Sequence, residues 1–114
     1  MRYQPKDKGL FEKAQYQIDK WAKQFKAPYW QPLEIMARLT EETGELAREV
    51  NHRFGPKKKK SAEDTREMGD EMADIIMTLV CLANSQGISI DEAWQHLMDK
   101  LYKRDNQRFE RREE

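Results

Sequence analysis

The chain has 114 residues, with 21 Lys and Arg against 21 Asp and Glu, so its formal net charge is zero and no global field favours a nucleic-acid polymer. A lone cysteine, Cys81, excludes a disulfide framework and points to a reducing, cytoplasmic compartment. The N-terminus lacks the apolar stretch of a signal peptide, and the longest apolar run, Ile75 to Ala83, is about half the ~20 residues that span a bilayer, so no membrane is expected.

In chain order, residues 1–8 read as a short flexible arm, with Pro5 and Gly9 as breakers. Leu10, Phe11, Ala14, Ile18, Trp21, Ala22 and Phe25 recur at helical spacing and predict a first amphipathic helix that stops before Pro28. A connector, KAPYWQP, follows; its Tyr29 and Trp30 could stack on a planar base or simply seal the helix junction. Helix two runs from about Leu33 to Arg53, with Pro32 suited to its first turn and Gly55 and Pro56 ending it. Gly44 lies inside it, where a missing side chain would let a helix or ligand approach closely.

Lys57 to Lys60 form a loop, either solvated or attractive to polyphosphate, and Ser61 with Asp64 resembles a cap opening helix three, about Ala62 to Gln86, which Gly87 stops. That helix passes from an acidic first half into a second half apolar nearly all round, so burial on several sides is expected, with a homo-oligomer as one way to supply it. Cys81, inside this run, reads as a small core residue rather than a nucleophile. Ser89 to Glu92 spell a capping box for helix four, whose apolar face includes Trp94, Leu97, Leu101 and Tyr102. Lys100, Lys103 and Arg104 cluster within about one turn and could meet phosphate or complement the helix dipole. The tail frays over residues 110–114. The sum is an all-α four-helix bundle in one domain, 1–114, completed by oligomerisation.

The informative stretch is TEETGELAREV, Thr40 to Val50, with its answer MGDEMADIIMTLV, Met68 to Val80. Positions three apart share a helix face, so Glu42 stands with Glu45, and Glu71 with Asp74. At about 100° per residue Glu42 lies within about 60° of Ile35, Leu39 and Leu46, the inward stripe of its own helix. Two carboxylates ~5 Å apart at an effective dielectric near 20 repel by about 3 kcal/mol. Several such pairs rival a domain's whole stability of about 5–15 kcal/mol. Either water separates these groups or a divalent cation gathers them, and all-oxygen ligation favours Mg²⁺, with Mn²⁺ as substitute, over Zn²⁺.

Two other readings compete. Acidic stripes can be solvated faces of a non-enzymatic helical interaction module. A carboxylate-bridged di-iron bundle needs two ExxH motifs; Glu49 and His52 form one, and His96 supplies no second.

EETGE (Glu41, Glu42, Glu45) followed by EMAD (Glu71 to Asp74) resembles the EExxE–spacer–ExxD signature of the MazG family of nucleotide pyrophosphohydrolases, with residues 46–70 as a long spacer. The likeness extends through QFKAPYWQPLEIMARLTEETGELAREVNHRFG and LVCLANS to KLYKRDNQRF, most of the chain, and is closest to the short single-domain branch. What the resemblance implies is an all-α fold, Mg²⁺ dependence, and hydrolysis of a nucleoside triphosphate between the α and β phosphates to the monophosphate and pyrophosphate. It further implies homodimers or homotetramers and a nucleotide house-cleaning role. Glu42, Glu45, Glu71 and Asp74 match the family's metal ligands. Glu41 matches the first motif glutamate, as ligand, water-orienting base or surface charge, and points about 100° from Glu42 on an ideal helix. Trp30, Lys100 and Arg104 match substrate-contacting positions.

Overall fold

The computed structural model describes residues 9–56 and 63–112. These form four α-helices and no strand: α1 Glu12–Ala22, α2 Pro32–Phe54, α3 Glu63–Ser85 and α4 Ile90–Lys100, the last running into a π-helical turn, Leu101–Asp105. The N-terminal arm, the Lys57 to Lys60 loop and the Ser61 cap lie outside the described residues.

Local chemistry sets the helix ends. Pro32 opens α2 while Glu34 Oε1 accepts from the Gln31 N–H at 3.0 Å. Gly87, at φ +69°, stops α3: the Ile88 N–H donates to Ala83 O at 2.9 Å and the Gly87 N–H to Asn84 O at 3.4 Å, the paired bonds of a Schellman turn. Ser89 Oγ accepts from the Glu92 N–H at 3.2 Å to start α4. Helix α1 ends at Ala22, short of the expected Phe25, and continues as tight turns in which the Gln24 and Phe25 N–H groups donate to Trp21 O and Ala22 O. The approach to Pro28 disfavours further helix.

Helices α2 and α3 form the main pair, α1 packs against α3, and Ala22, Ile35, Val80 and Ala83 make the buried apolar centre. On α2 the buried stripe is Ile35, Glu42 and Glu49, so Glu42 points inward as its rotation relative to Ile35 requires.

Helix α1 is rotated from the expected facing: of the expected apolar stripe Ala22 is buried and Phe11, Ala14 and Ile18 are half-buried. Its buried stripe is Glu12, Gln15, Asp19 and Ala22, while Leu10, Trp21 and Phe25 stay at least half exposed. The reason is a polar lock. Gln15 Nε2 donates to Asn84 Oδ1 and to Ile88 O, both at 2.9 Å, and Gln15 Oε1 accepts from the Ile90 N–H at 3.1 Å. Asn84 Nδ2 donates to Gln15 O and to the Tyr29 hydroxyl, each at 3.0 Å, and Tyr29 donates onward to Asp19 Oδ1 at 2.7 Å. One network thus joins α1, the connector, the end of α3 and the start of α4.

The chain turns by 109° between α3 and α4, so α4 leaves rather than lies along the others. Its first turn is anchored: Asp91 accepts from the Phe11 and Glu12 N–H groups at 2.7 and 2.9 Å, capping α1 from 80 residues away, and Phe11 meets Trp94 at a centroid distance of 5.3 Å. Gly9, at φ +102°, makes room, since a Cβ there would sit 2.5 Å from Asp91 Oδ2. Beyond that anchor Leu97, Leu101 and Tyr102 are exposed, as are Ile76 and Leu79 on the outer face of α3. The all-round burial expected for α3 is therefore absent among the described residues. No described group comes within 4 Å of a Cβ placed at Gly44. No single described helix is long and apolar enough to cross a membrane.

Candidate functional site

The pairing of α2 with α3 brings carboxylate oxygens of Glu42, Glu71 and Asp74 within 4.8 Å of one another. Glu42 is 5% exposed, Glu71 half-buried and Asp74 exposed, so the cluster runs from the interior outward to solvent. Burial, followed by hydrogen bonding to Glu71, raises the Glu42 pKa; the nearby Arg38 guanidinium opposes this and Asp74 adds to it. The buried Glu71 Oε2 has no hydrogen-bond partner among the described residues. An orphaned buried oxygen beside a carboxyl whose pKa is raised by burial and by its acidic neighbours fits a cation site, because a divalent ion would satisfy the one and offset the like charge around the other. The donor set is all oxygen and fits a hard cation.

Glu45 lies outside this group: its carboxylate turns to Arg48 one turn away on α2. Glu41 is exposed on a neighbouring track of the same helix and is also outside the group. Glu49 is buried and His52 half-buried further along α2, and no histidine joins a metal-competent group among the described residues.

Beside the cluster opens a cleft of about 490 Å³. Asp74 belongs to both; aromatic walls come from Trp21, Phe25, Tyr29 and Trp30, and the floor from α3 through Met77, Thr78 and Cys81. Trp21 and Phe25 pack edge to face at 5.1 Å. The two connector aromatics divide the alternatives between them: Tyr29 fastens the junction through its hydroxyl, while Trp30, 58% exposed, is free to present its ring to the cleft. Burial raises the Cys81 thiol pKa, which keeps it protonated and unfit as a nucleophile. Lys100 and Arg104 do not line the cleft; Lys100 ends the outward-turned α4, and Arg104 Nε donates to Asp105 Oδ1 at 3.2 Å.

Sequence reasoning passed over Trp21 and Phe25 as core and missed Arg38 altogether. Arg38 lines the cleft and its Nη2 lies 3.0 Å from Glu42 Oε1. Its signal was present in the sequence, a cation four residues before an inward-facing glutamate.

Residues 31–109 match the MazG nucleotide pyrophosphohydrolase domain. The chain is 53% identical to YpjD of Bacillus subtilis (strain 168) over 100 residues, covering 88% of this chain and 90% of that one. It is 35% identical to YvdC of the same organism over 96 residues, 75% of this chain and 91% of that one. The crystal structure of Bacillus subtilis YpjD superposes with a TM-score of 0.73 at 49% identity, covering 83% of this chain and 97% of that one. The crystal structure of a Bacillus-conserved MazG protein, a nucleotide pyrophosphohydrolase, gives a TM-score of 0.72 at 38% identity over 87% of this chain and 96% of the other. With helices of the same kind in the same arrangement, and its acidic pair of helices inside the matched segment, the chain belongs to the MazG family of nucleotide pyrophosphohydrolases, hydrolases of pyrophosphate bonds.

Proposed function

We propose that this protein is a Mg²⁺-dependent nucleoside triphosphate pyrophosphohydrolase that cleaves between the α and β phosphates, releasing a nucleoside monophosphate and pyrophosphate. The observation that carries this reading is the convergence of Glu42, Glu71 and Asp74 at the rim of an aromatic cleft roomy enough for a nucleobase. These three carboxylates would hold the cation. Glu45 joins them by leaving Arg48, a half-exposed ion pair of a kind worth about 1 kcal/mol or less. When bound, Mg²⁺ or Mn²⁺ neutralises phosphate charge and acidifies water. The protein's own part is positioning and electrostatics, which is most of what phosphoryl transfer asks.

The cleft takes the base between apolar and aromatic walls, with Trp30 as the exposed ring to stack on it. Water adds to phosphorus as the anhydride oxygen departs with pyrophosphate, and the water's proton passes to a carboxylate. Glu41 is the assigned acceptor, and that assignment rests on the motif alone. Lys100 and Arg104 are assigned to phosphate in a homodimer or homotetramer, where α4 of one chain would reach a neighbour's site; the uncovered apolar faces of α1, α3 and α4 support such an assembly. A house-cleaning role in a cytoplasmic nucleotide pool is the corresponding assignment in the cell.

The test is pyrophosphate release from a panel of ordinary and damaged nucleoside triphosphates with Mg²⁺, Mn²⁺ or chelator. Cation-dependent release with equimolar monophosphate is expected. Release of single phosphate, or no turnover of any triphosphate, would contradict the reading.

A further inference from the structure

Three features lie outside the roles assigned so far: the half-buried His52, whose Nδ1 has no partner among the described residues, the shallow groove along α1 by Tyr16 and Lys20, and Arg38. Only Arg38 sits where two parts of the site meet.

We propose that Arg38 binds the phosphate nearest the sugar, and that its ion pair with Glu42 is the resting position of a side chain that changes partner when cation and nucleotide enter. This assignment rests on the nucleotide reading above. Arg38 is the single cation among the described residues lining the cleft, and Nη2 is 3.0 Å from Glu42 Oε1, so its head stands where the cleft meets the carboxylate cluster. A nucleotide with its base against the aromatics and its anhydride at the cluster carries its first phosphate across that junction. The guanidinium has five N–H donors, and 47% of the Arg38 side chain remains exposed, so holding Glu42 does not exhaust it. Its planar fork suits two phosphate oxygens at once.

Charge drives the exchange. Without a cation, Arg38 is the positive partner of a buried carboxylate flanked by two others. A divalent ion held by those carboxylates would take over that role and repel the guanidinium, which the incoming phosphate would attract. One side chain thus couples the two parts of the site: Arg38 would leave Glu42 once the carboxylates hold a cation, and would then complete the phosphate contact.

The alternative is a plain i,i+4 helix pair, and opposite movement of two affinities separates them. In Arg38→Gln, Mn²⁺ binding without nucleotide, followed by electron paramagnetic resonance, should tighten by at least about tenfold, the Coulomb effect of one unit charge ~6 Å from a divalent ion even under the full screening of water. Nucleoside monophosphate binding with Mn²⁺ present, followed by tryptophan fluorescence, should weaken by roughly tenfold to a hundredfold, and KM should rise with it. Arg38→Lys, which keeps the charge and loses the fork, should restore the wild-type Mn²⁺ affinity but only part of the nucleotide affinity. Unchanged nucleotide affinity in Arg38→Gln, or a parallel loss of both affinities, would overturn the assignment. A wild-type protein that binds Mn²⁺ but no nucleotide would instead overturn the function reading and this assignment with it.

Discussion

Two buried polar regions border the cleft, one through Tyr29 and one through Asp74, and are built on opposite terms. Around Gln15 and Asn84, each with no exposed surface, amide and hydroxyl groups close on one another and on backbone until each has its partner. Around Glu42, three acidic groups converge, one buried oxygen has no partner among the described residues, and burial with the acidic neighbours raises the Glu42 pKa. The first arrangement gains stability by being complete. The second keeps like charges close together, offset only in part by Arg38, and gains stability when a cation arrives. Polarity at depth therefore says little by itself; what separates scaffold from site is whether the protein satisfies its own groups.

The sharpest way to break this contrast is to neutralise each region. Glu42→Gln or Glu71→Gln should lower kcat/KM by at least about a hundredfold, more than loss of a group that only supports a ligand, while the melting temperature of the cation-free protein holds or rises. A lower melting temperature with retained turnover would put Glu42 in the scaffold. Asn84→Ala should do the reverse, destabilising by about 3 kcal/mol as buried donors and acceptors lose their partners, with turnover retained at low temperature; denaturant unfolding measures it.

Protons offer a subtler separation. Because the Glu42 pKa is raised, the folded cation-free protein holds a proton where the unfolded chain has released it, above the ordinary value of 4.5. Stability falls with pH wherever the folded state binds more protons. The cation-free protein should thus lose stability as pH climbs from that ordinary value through the raised one, and regain it on the way down. Mn²⁺ binding within that window should release protons, seen as a heat that varies with buffer ionisation enthalpy. Glu42→Gln should abolish both effects. The smallest expected change is at Tyr29→Phe, about 1 kcal/mol, because Lys23 Nζ still holds Asp19 at 2.8 Å; a modest rise in KM from a looser cleft wall accompanies it.

Legibility in the sequence follows the same division. Helices α2 and α3, the stop at Gly87 and the inward turn of Glu42 all arise from periodicity and local caps, which act over a few residues and leave a readable spacing. The facing of α1 does not. Its apolar stripe marks the surface that wants cover, yet Gln15 and Asp19 decide which face meets α3 and the connector, through partners at Asn84 and Tyr29. Asp91 capping α1 is equally silent, because a single carboxylate 80 positions away has no period. Within the site, Glu42, Glu71 and Asp74 were legible as helix-face pairs, whereas the turn of Glu45 toward Arg48 is a choice of rotamer that spacing does not encode. Trp21 and Phe25 read as core because an aromatic lining a cleft and one sealing a core have the same helical spacing.

The most direct test of the central claim is a Mn²⁺ titration of wild type and Glu71→Gln, followed by electron paramagnetic resonance at neutral pH. The account predicts saturable binding in the wild type that competes with Mg²⁺ and weakens by at least about tenfold in the variant; equal binding in both would show that the three carboxylates do not hold the cation.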